Sequence, residues 1–127
     1  HRNHLGVMTA GTVPLGTAPT VVDLTLPTTG TYGINARETV GAVRALWAGN
    51  VLRDAVLKYA GSGNDRDPIL TAIGGAVPTA TLSGQYRAED VNLDGQVKYA
   101  GSANDRDIIL QNIGGSVPTA TRTQQLP

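Results

Sequence analysis

The sequence contains no cysteine and no phenylalanine, and it carries a single methionine and a single tryptophan. Without cysteine there is no disulfide to staple the chain and no thiolate to act as nucleophile or metal ligand. Without phenylalanine, and with Trp47, Tyr32, Tyr59, Tyr86 and Tyr99 as the aromatics, the core has to be built from Val, Leu, Ile and Ala. Such a core is thin, and a thin core gains most from an added staple such as a bound ion. No apolar run approaches the ~20 residues of a membrane-spanning helix. Ten basic and ten acidic side chains cancel in net charge, which leaves no electrostatic footprint for nucleic acid or an anionic membrane. The chain opens on His1 without a charged-then-apolar leader, and is read as an excised or processed piece of something longer.

What the chain does have is a duplication. The stretch "KYAGSGNDRDPILTAIGGAVPTAT" (58–81) returns as "KYAGSANDRDIILQNIGGSVPTAT" (98–121), with five differences in 24 positions and a constant offset of 40 residues. Each copy opens on a brief apolar run rich in β-formers, Val56 to Tyr59 or Gln96 to Tyr99, which predicts a short strand. A Gly-Ser-x-Asn-Asp turn follows. Asn64 or Asn104 then caps a short helix with acidic residues in its first turn, where Pro68 is also tolerated. Ile69, Leu70 and Ile73, and their counterparts Ile109, Leu110 and Ile113, share one helical face. The Gly74-Gly75 and Gly114-Gly115 pairs stop the helices as left-handed caps, and "VPTAT" leads out extended. Helices this short are not stable alone, so the two copies are expected to pack as one unit.

Residues 1–45 read as a β-rich segment, in which "HLGVMTA" and "TVVDLTLP" are strand-like runs separated by a Thr-, Gly- and Pro-rich stretch. "GAVRALWAGNV" fits either a strand or a short helix. The predicted architecture is therefore mixed α+β. An N-terminal, incomplete sandwich-like sheet (1–45) with open edges precedes a tandem unit at 46–127, whose repeats span 46–85 and 86–127.

The second repeat contains "DVNLDGQV". Asp90, Asn92 and Asp94 stand at alternate positions, Gly95 permits a sharp turn, and the Gln96 carbonyl comes next; this is how a loop offering oxygen ligands to calcium begins. The residue eleven places after Asp90, where a closing carboxylate would stand, is Gly101. Asp105, at the start of the following helix, is the expected closure through a longer loop. Asp107 is the second choice, and whichever is spare is left to pair with Arg106 or to cap the helix. Asp, Asn and Gly also make plain turns for local reasons. Against that reading, Glu89, Asp90, Asp94, Asp105 and Asp107 face only Lys98 and Arg106 between residues 89 and 107, a crowding that a cation would relieve. At the same offset the first repeat has Asn50, Leu52, Asp54 and Ala55, so one occupied loop and one vestigial loop are expected.

The loop and its following helix resemble a dockerin-type, EF-hand-like calcium loop. More broadly, "HRNHLGVMTA", "LWAGNV", "KYAGSANDRDIIL" and "NIGGSVPTATRTQQLP", in that order, resemble the C-terminal region of large secreted, adhesin-like cell-surface proteins of Bacteroidota. The resemblance implies an exported chain, calcium binding, and a position behind β domains whose strands are absent here. "NVLRDAVLKY" departs from the ligand-rich pattern.

Enzymatic readings are weak. His1 and His4, three apart on a strand, face opposite sides and suit a shared zinc poorly. No serine has a partner base, and "GSGNDRD" lacks the Gly-Lys-Ser/Thr ending of a phosphate loop. Trp47 in "RALWAG" reads as a core residue rather than a sugar-stacking platform. Two functions are left: a calcium-stapled structural module that self-associates or joins neighbouring β domains by strand addition, or a docking module for a surface protein or glycan.

Overall fold

The computed structural model describes residues 2–127; the His1 half of the disfavoured zinc pair lies outside the described residues. In chain order, the elements are β1 (Arg37–Val40), β2 (Val43–Leu46), β3 (Val56–Lys58), α1 (Arg66–Ala72), β4 (Thr81–Ser83), β5 (Gln96–Lys98), α2 (Asp105–Asn112) and β6 (Thr121–Thr123). The mixed α+β class is as expected, but the strands form three separate two-stranded antiparallel ribbons.

Each repeat folds as strand, helix, strand, and neither repeat pairs its own strands. β3 of the first repeat pairs with β6 of the second, and β5 of the second pairs with β4 of the first. The registers match residue for residue at the 40-residue offset: Val56 faces Thr123 as Gln96 faces Ser83, and Lys58 faces Thr121 as Lys98 faces Thr81. The repeats therefore exchange their trailing strands about a pseudo-two-fold axis. Separating them would break both ribbons.

The core repeats the same symmetry. Leu57 with Val97, Ile69 with Ile109 and Val51 with Val91 are twin positions, all buried, and Leu5 and Ala88 join them. Tyr59 and Tyr99 pack against this core under the guanidinium groups of Arg66 and Arg106, at 5.1 and 4.9 Å from the ring centres. Each arginine also feels the other repeat's tyrosine: although burial opposes it, Asp67 and Tyr99 help hold Arg66 above its usual pKa, and Tyr59 does the same for Arg106.

Helix ends follow local rules. Asn104 Oδ1 accepts from the Asp107 N–H at 2.9 Å, while its Nδ2 donates to Gly101 O and to Asp107 Oδ2. Asn64 repeats all three bonds with Asp67 and Gly61. The glycine pairs adopt positive φ, and Gly75 N and Gly115 N reach back to Leu70 O and Leu110 O.

The N-terminal segment departs from expectation. "GAVRALWAGNV" contributes β2, which pairs with β1 through a two-residue loop whose first member, Gly41, has φ 58°. "TVVDLTLP" forms no strand. Asp23 Oδ1 accepts from the Thr25 N–H and hydroxyl, Thr29 Oγ1 donates to Asp23 O, and Arg37 draws in the carbonyls of Leu24, Leu26 and Thr29. A local Asx turn has overridden β-branched propensity. From "HLGVMTA" only the His4–Ala48 and Thr9–Thr31 bridges survive as pairing. The expected sandwich-like sheet over 1–45 is thus reduced to one hairpin and isolated bridges. Much of the apolar surface between residues 8 and 43 stays exposed, including Leu15 at 95% and Val21 at 87%.

Trp47 packs against the core edge, donates Nε1–H to Asn35 O at 2.8 Å and lies under Arg122, 3.5 Å from the ring centre. Among the described residues no helix is long and apolar enough to cross a membrane.

Candidate metal centre

The loop from Asp90 to Gly95 is shaped by its own side chains. Asp90 Oδ1 accepts from Asp94 N and its Oδ2 from Gly95 N, both at 3.1 Å. Asn92 Oδ1 accepts from Asp94 N at 2.9 Å, and Asp94 Oδ1 from Gln96 N at 2.8 Å. These nested Asx turns carry Leu93 and Gly95 to positive φ, 63° and 83°. Asn92 Nδ2 ties the loop to Ala103 O at 2.9 Å and to Asp94 Oδ2 at 3.2 Å. Gln96 begins β5, directly after the loop.

Asp105 lies beneath the loop, with no exposed surface. Its Oδ1 accepts from the N–H groups of Val91 (2.6 Å) and Asn92 (3.1 Å), and its Oδ2 from Lys98 N (2.8 Å). It clamps the loop to β5. Burial raises its carboxyl above the usual carboxylate range, and the nearby Asp90 charge adds to this against the pull of the three amides. Asp65 makes the same clamp in the first repeat, accepting from Leu52 N at 3.0 Å and Lys58 N at 2.8 Å, and burial raises it too. The duplicated acid therefore has a duplicated backbone task, and Asp105 keeps one lone pair, on Oδ2, beyond it. Asp107 sits on the outer first turn of α2, bonded to Asn104 Nδ2 and paired with Arg106 Nε at 3.3 Å. It lines, together with Asn92, Ser102 and Gln111, a shallow cavity of about 380 Å³.

Two residues that sequence reasoning missed hold the loop from the far end of the chain. Asn3, fully buried, donates Nδ2–H to Ala88 O at 3.0 Å and to Asp90 O at 2.7 Å, while its own carbonyl accepts from Gly49 N and Asn50 N. One residue thus bridges both loops across the pseudo-two-fold. Arg2 donates from Nη2 to Asp90 Oδ2 at 3.2 Å, in a pair whose side chains are only 8% and 3% exposed, and its guanidinium lies 3.6 Å from the centre of the Tyr86 ring. The contact spans 88 residues of chain. The only sequence trace was the polar cluster "RNH" directly ahead of the core residue Leu5.

The donor set suits calcium by chemistry. Hard oxygens come from two carboxylates, one amide and a backbone carbonyl. After the hydrogen bonds above, lone pairs are left on Asp90 Oδ1, Asn92 Oδ1 and both oxygens of Asp94, besides the one on Asp105 Oδ2. Among the described residues no three of His, Cys, Asp and Glu converge, so Asn92, the Gln96 carbonyl and water would have to complete six to eight ligands. Such a donor set would hold an ion only weakly.

The first loop keeps part of the shape, since Ala55 lacks the positive φ of Gly95, and it lacks the donors. Arg53 takes the positive φ of Leu93, at 59°, and Asp54 Oδ1 holds Val56 N at 2.9 Å as Asp94 holds Gln96 N. Leu52 offers no oxygen side chain, and Asn50 turns its Nδ2 to Asp54 O. The adjoining cavity, about 570 Å³, is lined by Arg2 and Arg53 with Asp54 as its one acid, so two guanidinium groups oppose a metal ion there. Compared with protein-family models, curated proteins and solved structures, the chain matches none.

Proposed function

We propose that the chain is a non-enzymatic, calcium-stabilised structural module of an exported surface protein or extracellular filament. The carrying observation is the comparison of the loops. Loop one shares only the left-handed turn at Arg53, the counterpart of Leu93, with Asn50 and Leu52 where loop two has Asp90 and Asn92. Loop two uses its added oxygens to hold Asp94 N and Gly95 N and still keeps lone pairs on Asp90, Asn92 and Asp94 beyond those bonds. An ion accounts for those lone pairs. At millimolar calcium a weak extracellular site adds about 1 to 3 kcal/mol, a useful increment for a core without phenylalanine.

The exposed apolar residues between 8 and 43 support assembly: Met8, Leu15 and Val21 lie outside any named strand with few backbone partners. Such a stretch suits strand addition by a second copy or a neighbouring β domain. The docking alternative needs the repeated arginines free for a receptor, whereas Arg66 and Arg106 are engaged by Asp67 and Tyr59, and by Asp107 and Tyr99.

Thermal melting with calcium and with chelator tests the first part. Chelation lowers Tm in the wild type, and Asp94→Ala removes most of that difference; identical wild-type curves would reject the ion. Electron microscopy tests the second, and monomers at every concentration, with and without calcium, would sink assembly.

A further inference from the structure

Resting on the calcium reading of the second loop, we propose that Arg2 is a built-in competitor of the ion at Asp90, so that calcium and the N-terminal segment are coupled through one carboxylate. Asp90 Oδ2 is saturated by Gly95 N and Arg2 Nη2, and its Oδ1 retains a single lone pair after Asp94 N. An ion approaching that lone pair at about 2.3–2.6 Å comes to within roughly 5 Å of the guanidinium, given the 3.2 Å contact on the other oxygen. Repulsion between a divalent ion and a unit charge at that range exceeds a tenfold change in affinity even at the dielectric of water.

The arginine is itself imperfectly satisfied. Nε and Nη1 are buried with no hydrogen-bond partner, so only one of its three nitrogens is used. A guanidinium placed to maximise stability would not leave two donors bare in a buried site. The arrangement is suited to yielding: Arg2 neutralises Asp90 when calcium is scarce and is pushed off when it is plentiful. The same segment carries Asn3, which bonds both loops, and Leu5 in the core. Calcium entry thereby loosens the outer end of the segment that leads into the repeats.

Titration calorimetry of the full chain with calcium chloride tests this, using wild type, Arg2→Met and Arg2→Lys. Arg2→Met is expected to bind at least about tenfold more tightly, with Arg2→Lys close to wild type. Equal or weaker binding by Arg2→Met, with the wild type still binding, overturns the competition and leaves the calcium site standing. No binding by any of the three removes the calcium reading and the competition with it. A measurement on the unmutated chain covers a variant that fails to fold: the Arg2 Nε–H resonance is expected to shift as calcium saturates, and a resonance unmoved at saturation overturns the proposal.

Discussion

Replacing the buried clamp acids by their amides, Asp65→Asn and Asp105→Asn, probes the feature on which both repeats depend. Each carboxylate accepts backbone N–H groups on both oxygens: Leu52 and Lys58 for Asp65, and Val91, Asn92 and Lys98 for Asp105. An amide of the same shape keeps one acceptor oxygen and turns an NH2 group toward the remaining N–H. One buried donor is then unsatisfied, at about 1–3 kcal/mol, and the surviving bonds drop from charge-assisted to neutral, at about 1 kcal/mol each. Relief of carboxylate burial, the leading cause of both raised pKa values, offsets part of this. A net loss of about 2–4 kcal/mol is expected for either variant, close to 8–16 °C in Tm for a domain of this size. Urea unfolding followed by circular dichroism in chelator reads it directly. A loss below about 1 kcal/mol in either variant would refute the clamp. Repeating the series in calcium separates clamp from ligand: an extra loss confined to Asp105→Asn would make Asp105 part of the ion's coordination.

Two further perturbations test packing and protonation. Gly49 has φ 110°, and a Cβ there would stand 2.9 Å from Ile109 Cγ1 and 3.0 Å from Leu57 Cδ1, so Gly49→Ala combines backbone strain with overpacking and is expected to cost roughly 3 kcal/mol. Gly84→Ala, with φ 73° and open space around it, is expected to cost only about 1 kcal/mol in the same unfolding assay; equal losses would refute the close approach at Gly49. Burial lowers the His4 pKa below 6.5, with the Arg2 charge adding to it. The unfolded chain therefore binds that proton first, and the His4 contribution to stability is present above pH 6.5 and lost as pH falls through the lower folded value. Asp65 and Asp105, being raised, act in the opposite sense: their contribution is full below 3.8 and is lost as pH rises through their folded values. His4→Gln is expected to flatten the fall in Tm between about pH 7.5 and 5.5, and an unchanged slope would contradict it.

The parts of this fold that local rules determine were legible in the sequence. The duplication, the two helices with their Asn caps, the glycine stops and the short strands at 56–58 and 96–98 all follow from periodicity, capping and turn chemistry. The partners of those strands were not legible. Nothing within a repeat says that β3 takes β6 rather than β4, because Thr81–Ser83 and Thr121–Thr123 are equally short, each starts on the threonine that ends the duplicated stretch, and the choice is made across the repeats. "TVVDLTLP" misled because β-branched residues surround an aspartate that can bond its own backbone. At the site, the alternating Asp90, Asn92 and Asp94 declared the loop, and Asp105, expected to close it on an ion, lies against it through bonds to Val91 N and Asn92 N. Its task was not visible, since a carboxylate at a helix start serves equally as ligand, cap or clamp. Arg2 and Asn3 were out of reach because their contacts span 88 and 87 residues of chain.

A direct count of bound calcium by native mass spectrometry tests the central claim. The wild-type chain is expected to carry one calcium ion and Asp94→Ala none, with the first loop empty in both. No ion on the wild type would contradict the calcium-stapled module, and two ions would contradict the division between a working loop and its vestigial twin.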